Sequence, residues 1–490
     1  MDQWKGNSSS ISLEEDIPTV VNNNLDSHKN MDDDGRIKRT GTVTSASAHI
    51  ITAVIGSGVL SLAWAIAQLG WTAGPAVLMA FSLITYFTST VLADSYRSPD
   101  PITGKRNYTY MDVVRSNLGK PASLLMRASY KNGGWKVRLC GLAQYGNIVG
   151  TTIGYTITAS ISMVAVIRSN CFHNNGHLVR CHVSNYPFMV IFACIEIVLC
   201  QIPNFHKLSW LSVVASVMSF AYSSIGIGLS IARIVGGAHA RTTLTGVTIG
   251  VDVTAIDKVW RTFQAIGNIA FAYSYSMVLD TLKSSPPENK VMKKASLVGV
   301  TTTTLFYMMC GCIGYAAFGN DAPGNFLTGF GFYEPFWLID IANVCTVVHI
   351  IGAYQVFVQP FFGFVEKLFS DRWPESNFIN REIYLGSYNF NMFRLTWRTV
   401  YVIIITLVAM IFPFFNDILG LLGALTFWPL TVFFPVEIYL ARTKMKKYSL
   451  PWTWMKILSL ACLVVSLLSA LGSVQGLVMG IKTYKPFSSR

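Results

Sequence analysis

The stretch SAHIITAVIGSGVLSLAW at residues 47–64 decides the fold class, because it is a long apolar segment interrupted near its middle by Gly56, Ser57 and Gly58. Glycine in a helix interior costs about 1 kcal/mol relative to alanine, and the break frees backbone groups that lipid cannot satisfy. One explanation is close packing between helices, at which small residues are common. The other is a discontinuous membrane helix whose exposed amides meet a bound anion, such as a substrate carboxylate. We expect the second, as in a secondary transporter for a small solute.

The composition around this stretch indicates a membrane protein. Apolar residues make up 52% of the 490 positions and charged residues 13%, well above and below the usual shares in soluble domains. The apolar residues form continuous runs close to the roughly 20 residues that span a hydrocarbon core, whereas a closed barrel needs short alternating strands. The predicted fold class is therefore an all-α polytopic membrane protein.

The runs divide the chain into three predicted regions. Residues 1–40 are polar and predict a disordered cytoplasmic tail without a cleaved signal peptide. Residues 41–481 form a transmembrane domain of about 11 helices, and residues 482–490 form a short extracellular tail. The predicted spans are 42–70, 74–96, 139–167, 186–203, 208–235, 259–282, 295–318, 335–364, 400–413, 418–440 and 452–481.

The distribution of basic residues predicts the orientation. Lysine and arginine concentrate in every second loop, beginning with residues 97–138, and are absent from the opposite loops 319–334 and 414–417. The basic loops should be cytoplasmic, which places the N-terminus inside and the C-terminus outside. The net charge of +13 is thereby explained by topology, and we predict a lipid bilayer as partner and no nucleic acid.

The same topology makes a prediction about cysteine. Cys171 and Cys181 fall in the predicted outer loop between the third and fourth spans, where a disulfide can persist, and the other cysteines lie within or at the ends of spans. We expect one bridge between them. Spacing alone leaves open two free thiols.

A second irregular stretch occurs in the sixth span, where GNIA at residues 267–270 is followed by FAYSYS at 271–276. The first and sixth spans are equivalent members of two five-helix halves, and paired interruptions at such positions indicate a transporter site at the bilayer midplane. Gly267 could alternatively serve close helix packing.

Several motifs resemble the plant amino acid permeases, which belong to the amino acid/auxin permease family within the amino acid-polyamine-organocation superfamily. They are the run at 47–64 with AQLGW at 67–71, KRNYTYMD at 105–112, GCIGYAAFG at 311–319 and YKPF at 484–487. The resemblance covers almost everything after the N-terminal tail. It implies a proton-coupled symporter that imports amino acids across the plasma membrane. It also implies a LeuT-type 5+5 inverted repeat plus an eleventh helix, with discontinuous helices 1 and 6.

The resemblance also implies a substrate site. It would place the substrate carboxylate at the amides of the first break, and the ammonium group at carbonyls of both unwound stretches. The side-chain pocket would be shaped by residues of the sixth span, of which Asn268 is neutral and fits neutral amino acids. The predicted substrate-binding residues are Ile55, Gly56, Ser57, Gly58, Val59, Asn268, Phe271 and Tyr273.

Proton coupling needs a group that titrates near physiological pH, and histidine is the usual choice. His49 in the first span and His349 in the eighth are the candidates, although a histidine in a span is often only a hydrogen-bonded core residue. His49 is preferred because it lies about two turns from the glycine break. Glu196 lies in a span outside the expected site and is predicted to be a paired or interface-reaching carboxylate more than a relay. We predict no cofactor other than the coupling proton and no metal, and the sequence leaves the oligomeric state unknown.

Two places depart from the family pattern. After Leu279 the permeases continue Ile-Glu-Ile-Gln before the aspartate that stands here as Asp280, so about one helical turn is missing. Residues 120–132 look inserted. A shortened sixth span keeps open an amino acid sensor or a transport-impaired variant on the same fold, and a carrier of auxin or another organic acid is a further alternative.

Other classes are disfavoured. Gly104-Lys105 lacks the phosphate-cradling loop of an ATP-driven pump, and no carbonyl filter sequence of a potassium channel is present. The spans contain neither the paired acids nor the His-Glu-x-x-His set of an intramembrane protease. We therefore predict that the protein is not an enzyme.

Overall fold

The computed structural model describes residues 41–119, 134–176, 179, 181–202, 209–237, 239–274, 287–330, 335–385 and 388–483. These residues are almost entirely helical, with two short antiparallel hairpins, β1–β2 (Arg97–Ser98 and Lys105–Arg106) and β3–β4 (Glu382–Leu385 and Tyr388–Asn391). The α-helices are α1 (Val43–Val54), α2 (Leu62–Ala93), α3 (Tyr110–Leu118), α4 (Gly134–Asn175), α5 (Tyr186–Cys200), α6 (Ser209–Val235), α7 (Ala255–Ala272), α8 (Glu288–Phe318), α9 (Phe336–Arg372), α10 (Asn377–Asn380), α11 (Met392–Ile411), α12 (Phe415–Thr426), α13 (Phe434–Arg442) and α14 (Leu450–Thr483). Three 3₁₀ segments (Ser57–Ser61, Gly319–Asp321 and Phe326–Phe330) and a π segment (Phe427–Phe433) complete the described elements.

Within the described part of the chain, eight helical segments are long and apolar enough to cross a membrane. Every one of the eleven predicted spans overlaps helix, and the predicted boundary at residues 70–74 coincides with a break in the helical backbone at Gly70, inside α2. The third, eighth and ninth spans begin or end about one or two turns beyond their predicted limits, since hydropathy detects only the apolar part of a helix. One result is that Cys171 lies on the last turns of α4 instead of in the loop.

The helix α2 is sharply kinked at Gly70, which has φ 78° and ψ 179°, a conformation essentially restricted to glycine. The N–H groups of Trp71 and Thr72 follow the kink, and they donate to the carbonyls of Thr243 (3.3 Å) and Leu244 (3.1 Å). The loop between α6 and α7 therefore satisfies the backbone donors that the kink frees. It approaches so closely that any β-carbon at residue 70 would meet its backbone.

Small residues bring the helices into close contact, as is common in membranes. Gly311 and Gly314 of α8 lie against Ile66 and Ala63 of α2. The helices α1, α2, α7 and α8 pack on one another, and α4, α5, α9 and α11 form a second buried cluster. The ends of α1 and α7 thus lie within one packed group of helices.

The predicted cytoplasmic loops carry buried ion pairs. Glu288, at the start of α8, accepts hydrogen bonds from Arg97 (3.0 and 3.2 Å) and from Arg106, both in the β1–β2 hairpin. The backbone carbonyl of Arg97 accepts from Arg442 (2.7 Å) at the end of α13. The hairpin therefore joins α8 to α13 at this end of the helices.

At the other end, a disulfide joins Cys171 to Cys181 across a sequence separation of 10, with Cα atoms 6.0 Å apart. Four sequence predictions lie wholly or mainly outside the described residues. They are the N-terminal tail 1–40, the insertion 120–132, the missing turn at Asp280 and the C-terminal tail 482–490.

Candidate functional site

The predicted break in the first span is present. The helix α1 ends at Val54, Gly56 is extended (φ −120°, ψ −152°), and a short 3₁₀ segment starts at Ser57 and leads into α2. The N–H groups of Ile55 and Gly56 still bond back to Ile51 (2.8 Å) and Val54 (2.8 Å). Backbone hydrogen bonds therefore continue to the end of α1, and the residues of the break are all buried.

Two backbone donors at the break are available to a ligand. Val59 N–H donates to Gly56 (3.2 Å), but the N–H groups of Ser57 and Gly58 make no hydrogen bond among the described residues. Buried amides normally have a partner. Two adjacent free donors at a buried break form the kind of site that binds a carboxylate.

In contrast, two buried tyrosines donate hydrogen bonds to backbone carbonyls at the break. Tyr222 of α6 donates to the carbonyl of Gly56 at 3.0 Å. The Tyr307 hydroxyl of α8 contacts both the carbonyl of Val54 and that of Ala272, the latter at 3.1 Å. Tyr307 therefore ties the end of α1 to the end of α7.

The second predicted interruption is found only in part. The GNIA stretch at residues 267–270 is helical within α7, and Gly267 packs closely on Gly420 of α12, whereas the chain leaves the helix a few residues later. The helix ends at Ala272 and is capped by Tyr273, whose backbone (φ −98°, ψ 4°) has left the helical region. A β-carbon on Gly58 would lie 3.3 Å from both the Ala272 Cα and the Phe271 Cδ1. Glycine at position 58 therefore lets the two ends approach.

The predicted pocket residues of α7 point in different directions. Phe271 lies beside the break, whereas Tyr273 is 1% exposed, donates to Thr304 (3.1 Å) and packs on the ring of Tyr307 (5.4 Å between centroids). Asn268 is fully buried, and its Oδ1 faces α12 and α14; neither of its side-chain polar atoms has a partner among the described residues. The structure thus brings Phe271 to the break and turns Asn268 toward other helices.

The two candidate histidines also differ. His349 of α9 is 2% exposed; its Nδ1 is 2.8 Å from the carbonyl of Ala215, so Nδ1 carries the proton and donates. Its Nε2 has no partner among the described residues and would lie 3.7 Å from a β-carbon on Gly56. The His349 ring also meets Tyr222 at 5.7 Å. His49 is exposed on α1 and is not brought to this group.

Sequence reasoning missed the two tyrosines. A tyrosine in an apolar span signals a polar group that needs a partner. That signal identifies Tyr222 and Tyr307 as candidates for buried hydrogen bonds, but it does not identify the carbonyls that accept from them.

Three comparisons bear on this site. The family model described as transmembrane amino acid transporter protein matches residues 39–479. The chain is 68% identical over 475 residues to amino acid permease 6 of Arabidopsis thaliana, covering 95% of this chain and 96% of the relative. It is 64% identical over 471 residues to amino acid permease 1 of the same plant, covering 94% of each. The solved structure of MhsT in complex with L-phenylalanine shares the fold at a TM-score of 0.53, with 12% identity, 90% of this chain and 100% of MhsT covered.

Proposed function

This chain belongs to the transmembrane amino acid transporter family, and we propose that it is a proton-coupled symporter that imports amino acids across the plasma membrane by alternating access. The observation that carries the proposal is the break in the first span. There Ser57 N–H and Gly58 N–H make no hydrogen bond among the described residues, and the buried Gly58 lies beside the end of α7. Discontinuous helices that face each other are the usual construction of a substrate site in secondary transporters.

The substrate in this proposal is a neutral amino acid. Its carboxylate accepts from the amides between Ile55 and Val59, and its ammonium donates to carbonyls of the two unwound stretches. The side chains that lie against the break are Phe271, Tyr222, Tyr307 and His349. None of these four is a carboxylate, a lysine or an arginine, so this described part of the pocket wall offers no fixed charge to select acidic or basic substrates.

His349 is the proposed proton-coupling residue of this site. Its Nε2 is the unbonded ring nitrogen and lies against Gly56, so a proton taken up there would stand next to the substrate carboxylate. His49 was the other sequence candidate, and its exposed position supports His349 over it.

The finer architecture is part of the same proposal. We infer two five-helix halves and an eleventh helix, a cytoplasmic N-terminus and an extracellular C-terminus. The basic residues of the inner loops and the matched positions of the two breaks support this arrangement.

Uptake of a labelled neutral amino acid in a transport-deficient host tests the proposal, with the outside at acidic and at neutral pH. We expect accumulation that rises with the inward proton gradient and is lost with a protonophore. Alanine and phenylalanine should compete, whereas glutamate, lysine and the auxin indole-3-acetate should compete weakly. Binding without accumulation would instead identify a sensor, and strong competition by indole-3-acetate would identify an organic acid carrier.

His349→Asn is the sharper variant, because asparagine can still donate to the carbonyl of Ala215 but cannot take up a proton. We expect exchange of substrate across the membrane to persist while the pH dependence flattens. His49→Asn is the matched control and should keep the wild-type pH profile. The reverse pattern would move the coupling role to His49.

A further inference from the structure

A buried carboxyl lies away from the break, between α5 and α9. Glu196 has no exposed surface, and its Oε2 accepts from Nε2 of Gln355 at 2.6 Å. Its Oε1 is buried and has no partner among the described residues. The sequence predicted a paired carboxylate here, but the partner that the structure supplies is a neutral amide.

Arg398, a described cation beside the end of α5, is already engaged. Arg398 of α11 donates to Glu366 (2.8 Å) and to the backbone carbonyl of Cys200 (2.5 Å). The second bond satisfies a carbonyl at the C-terminal end of α5. Among the described residues, Tyr354 of α9 and Cys200 of α5 are the titratable groups close enough to interact with Glu196. Tyr155 of α4 and Tyr401 of α11 belong to the same buried cluster, and Arg398 lies against Cys200. An ionised carboxylate buried without a cation is strongly disfavoured, because one amide bond does not replace its hydration.

A polar track leads from Glu196 toward the predicted cytoplasmic side. Gln355 accepts at its Oε1 from Gln359 (3.3 Å), which is one turn further along α9 and half-buried. Glu366 and the basic end of α9 follow on the same helix. In the other direction along α9, His349 is six residues from Gln355, or about 9 Å at the helical rise. Glu196 therefore lies between the substrate break and the inner surface.

We propose that Glu196 is a second proton-binding residue of the transport cycle, and that it holds the proton as a carboxylic acid at Oε1 and releases it to the cytoplasm. This inference rests on the proposed symport function. When the inner side hydrates, the O–H bond at Oε1 breaks and the proton passes to a water, which becomes hydronium. The electron pair stays on the carboxylate, and the Gln355 N–H bond stabilises the new charge. The glutamine amides position water along the track and do not themselves carry the proton.

Glu196→Gln in reconstituted vesicles tests the assignment, since glutamine imitates the protonated side chain and cannot release a proton. With the membrane potential clamped to zero and an inward gradient of one pH unit, one-proton symport can accumulate a zwitterion about tenfold. We expect labelled phenylalanine to approach that ratio in the wild type and to stop at simple equilibration in the variant. Counterflow of labelled against unlabelled phenylalanine should persist, because it does not require the proton to leave.

Asp340→Asn is the matched control. Asp340 is half-buried at the start of α9, its Oδ2 accepts from the Asn170 amide at the same 2.6 Å, and its Oδ1 is likewise without a partner among the described residues. Because it lies at the opposite end of α9 from Gln359, its replacement should leave proton-driven accumulation unchanged. A Glu196→Gln protein that accumulates phenylalanine as the wild type does would overturn the assignment.

If Glu196→Gln loses all transport, infrared difference spectroscopy still tests whether Glu196 is protonated in the wild type. At neutral pH the wild type should show the carbonyl stretch of a protonated carboxylic acid, and that band should vanish in Glu196→Gln and remain in Asp340→Asn. Absence of the band from the wild type would refute the protonated Glu196 whatever the transport result. A wild-type protein that carries no amino acid at all would instead refute the symport function.

Discussion

Tyr307→Phe should destabilise the protein and weaken substrate binding together, because this hydroxyl contacts the ends of both α1 and α7. It contacts the carbonyls of Val54 and Ala272, and the residue is fully buried. A hydroxyl has one proton and serves one carbonyl at a time, so we count one lost hydrogen bond. Leaving a buried acceptor unsatisfied costs about 1–3 kcal/mol, which is about 5- to 150-fold in the folding equilibrium constant.

Tyr354→Phe provides the control for the chemical change. Tyr354 is 1% exposed, and its hydroxyl has no partner among the described residues. Removing that hydroxyl deletes a polar group without breaking a bond, so the variant should be as stable as the wild type or slightly more stable.

Unfolding in detergent micelles, followed by tryptophan fluorescence against denaturant, measures both variants under the same conditions. Equilibrium binding of labelled phenylalanine to each folded protein measures the second effect. Equal stability of Tyr307→Phe and Tyr354→Phe would refute the tie between α1 and α7. A loss of stability with unchanged affinity would limit Tyr307 to a structural role.

Three further variants test the backbone geometry. Gly58→Val should abolish substrate uptake while the protein still reaches the membrane, because the added methyl groups separate the break from the end of α7. Normal uptake by this variant would show that the break and the end of α7 need not be in contact. Gly70→Ala should cost more than the roughly 1–2 kcal/mol of positive-φ strain, because its β-carbon also meets loop backbone. Gly237→Ala shares the positive φ but meets nothing within 4 Å, so equal melting temperatures of the two would contradict this reasoning. Reducing the Cys171–Cys181 bond should lower the free energy of unfolding by about 2–4 kcal/mol. Unfolding measured with and without a phosphine reductant tests this, and an unchanged free energy would show that the bridge does not constrain the unfolded chain.

Local sequence was enough for the first break and for the disulfide partners. Glycines inside an apolar run mark a discontinuity because the cost is local, and the loop position of Cys181 follows from hydropathy and charge. Helix ends were predicted less well, since polar turns at the membrane surface carry no hydropathy signal. The discontinuity at Gly70 lies where the first predicted span ends, but one glycine does not by itself distinguish a kink from a helix terminus.

The direction of side chains within the site required three-dimensional structure. Asn268 and Phe271 are three residues apart on α7, yet one faces α12 and the other faces the break. The sequence favoured His49 for its short distance from the break along the chain, yet His49 is exposed and it is His349 that lies against Gly56. Such choices depend on which helices become neighbours.

The sequence by itself determined that this protein is a bundle of membrane-spanning helices with an interrupted first helix, because hydropathy, charge and glycine act on adjacent residues. The tertiary structure decided how the freed backbone groups are satisfied. Tyr307 reaches Val54 across 253 positions of the chain, and Glu196 meets Gln355 across 159. Contacts between distant residues depend on helix packing and rotation, and no local pattern records them.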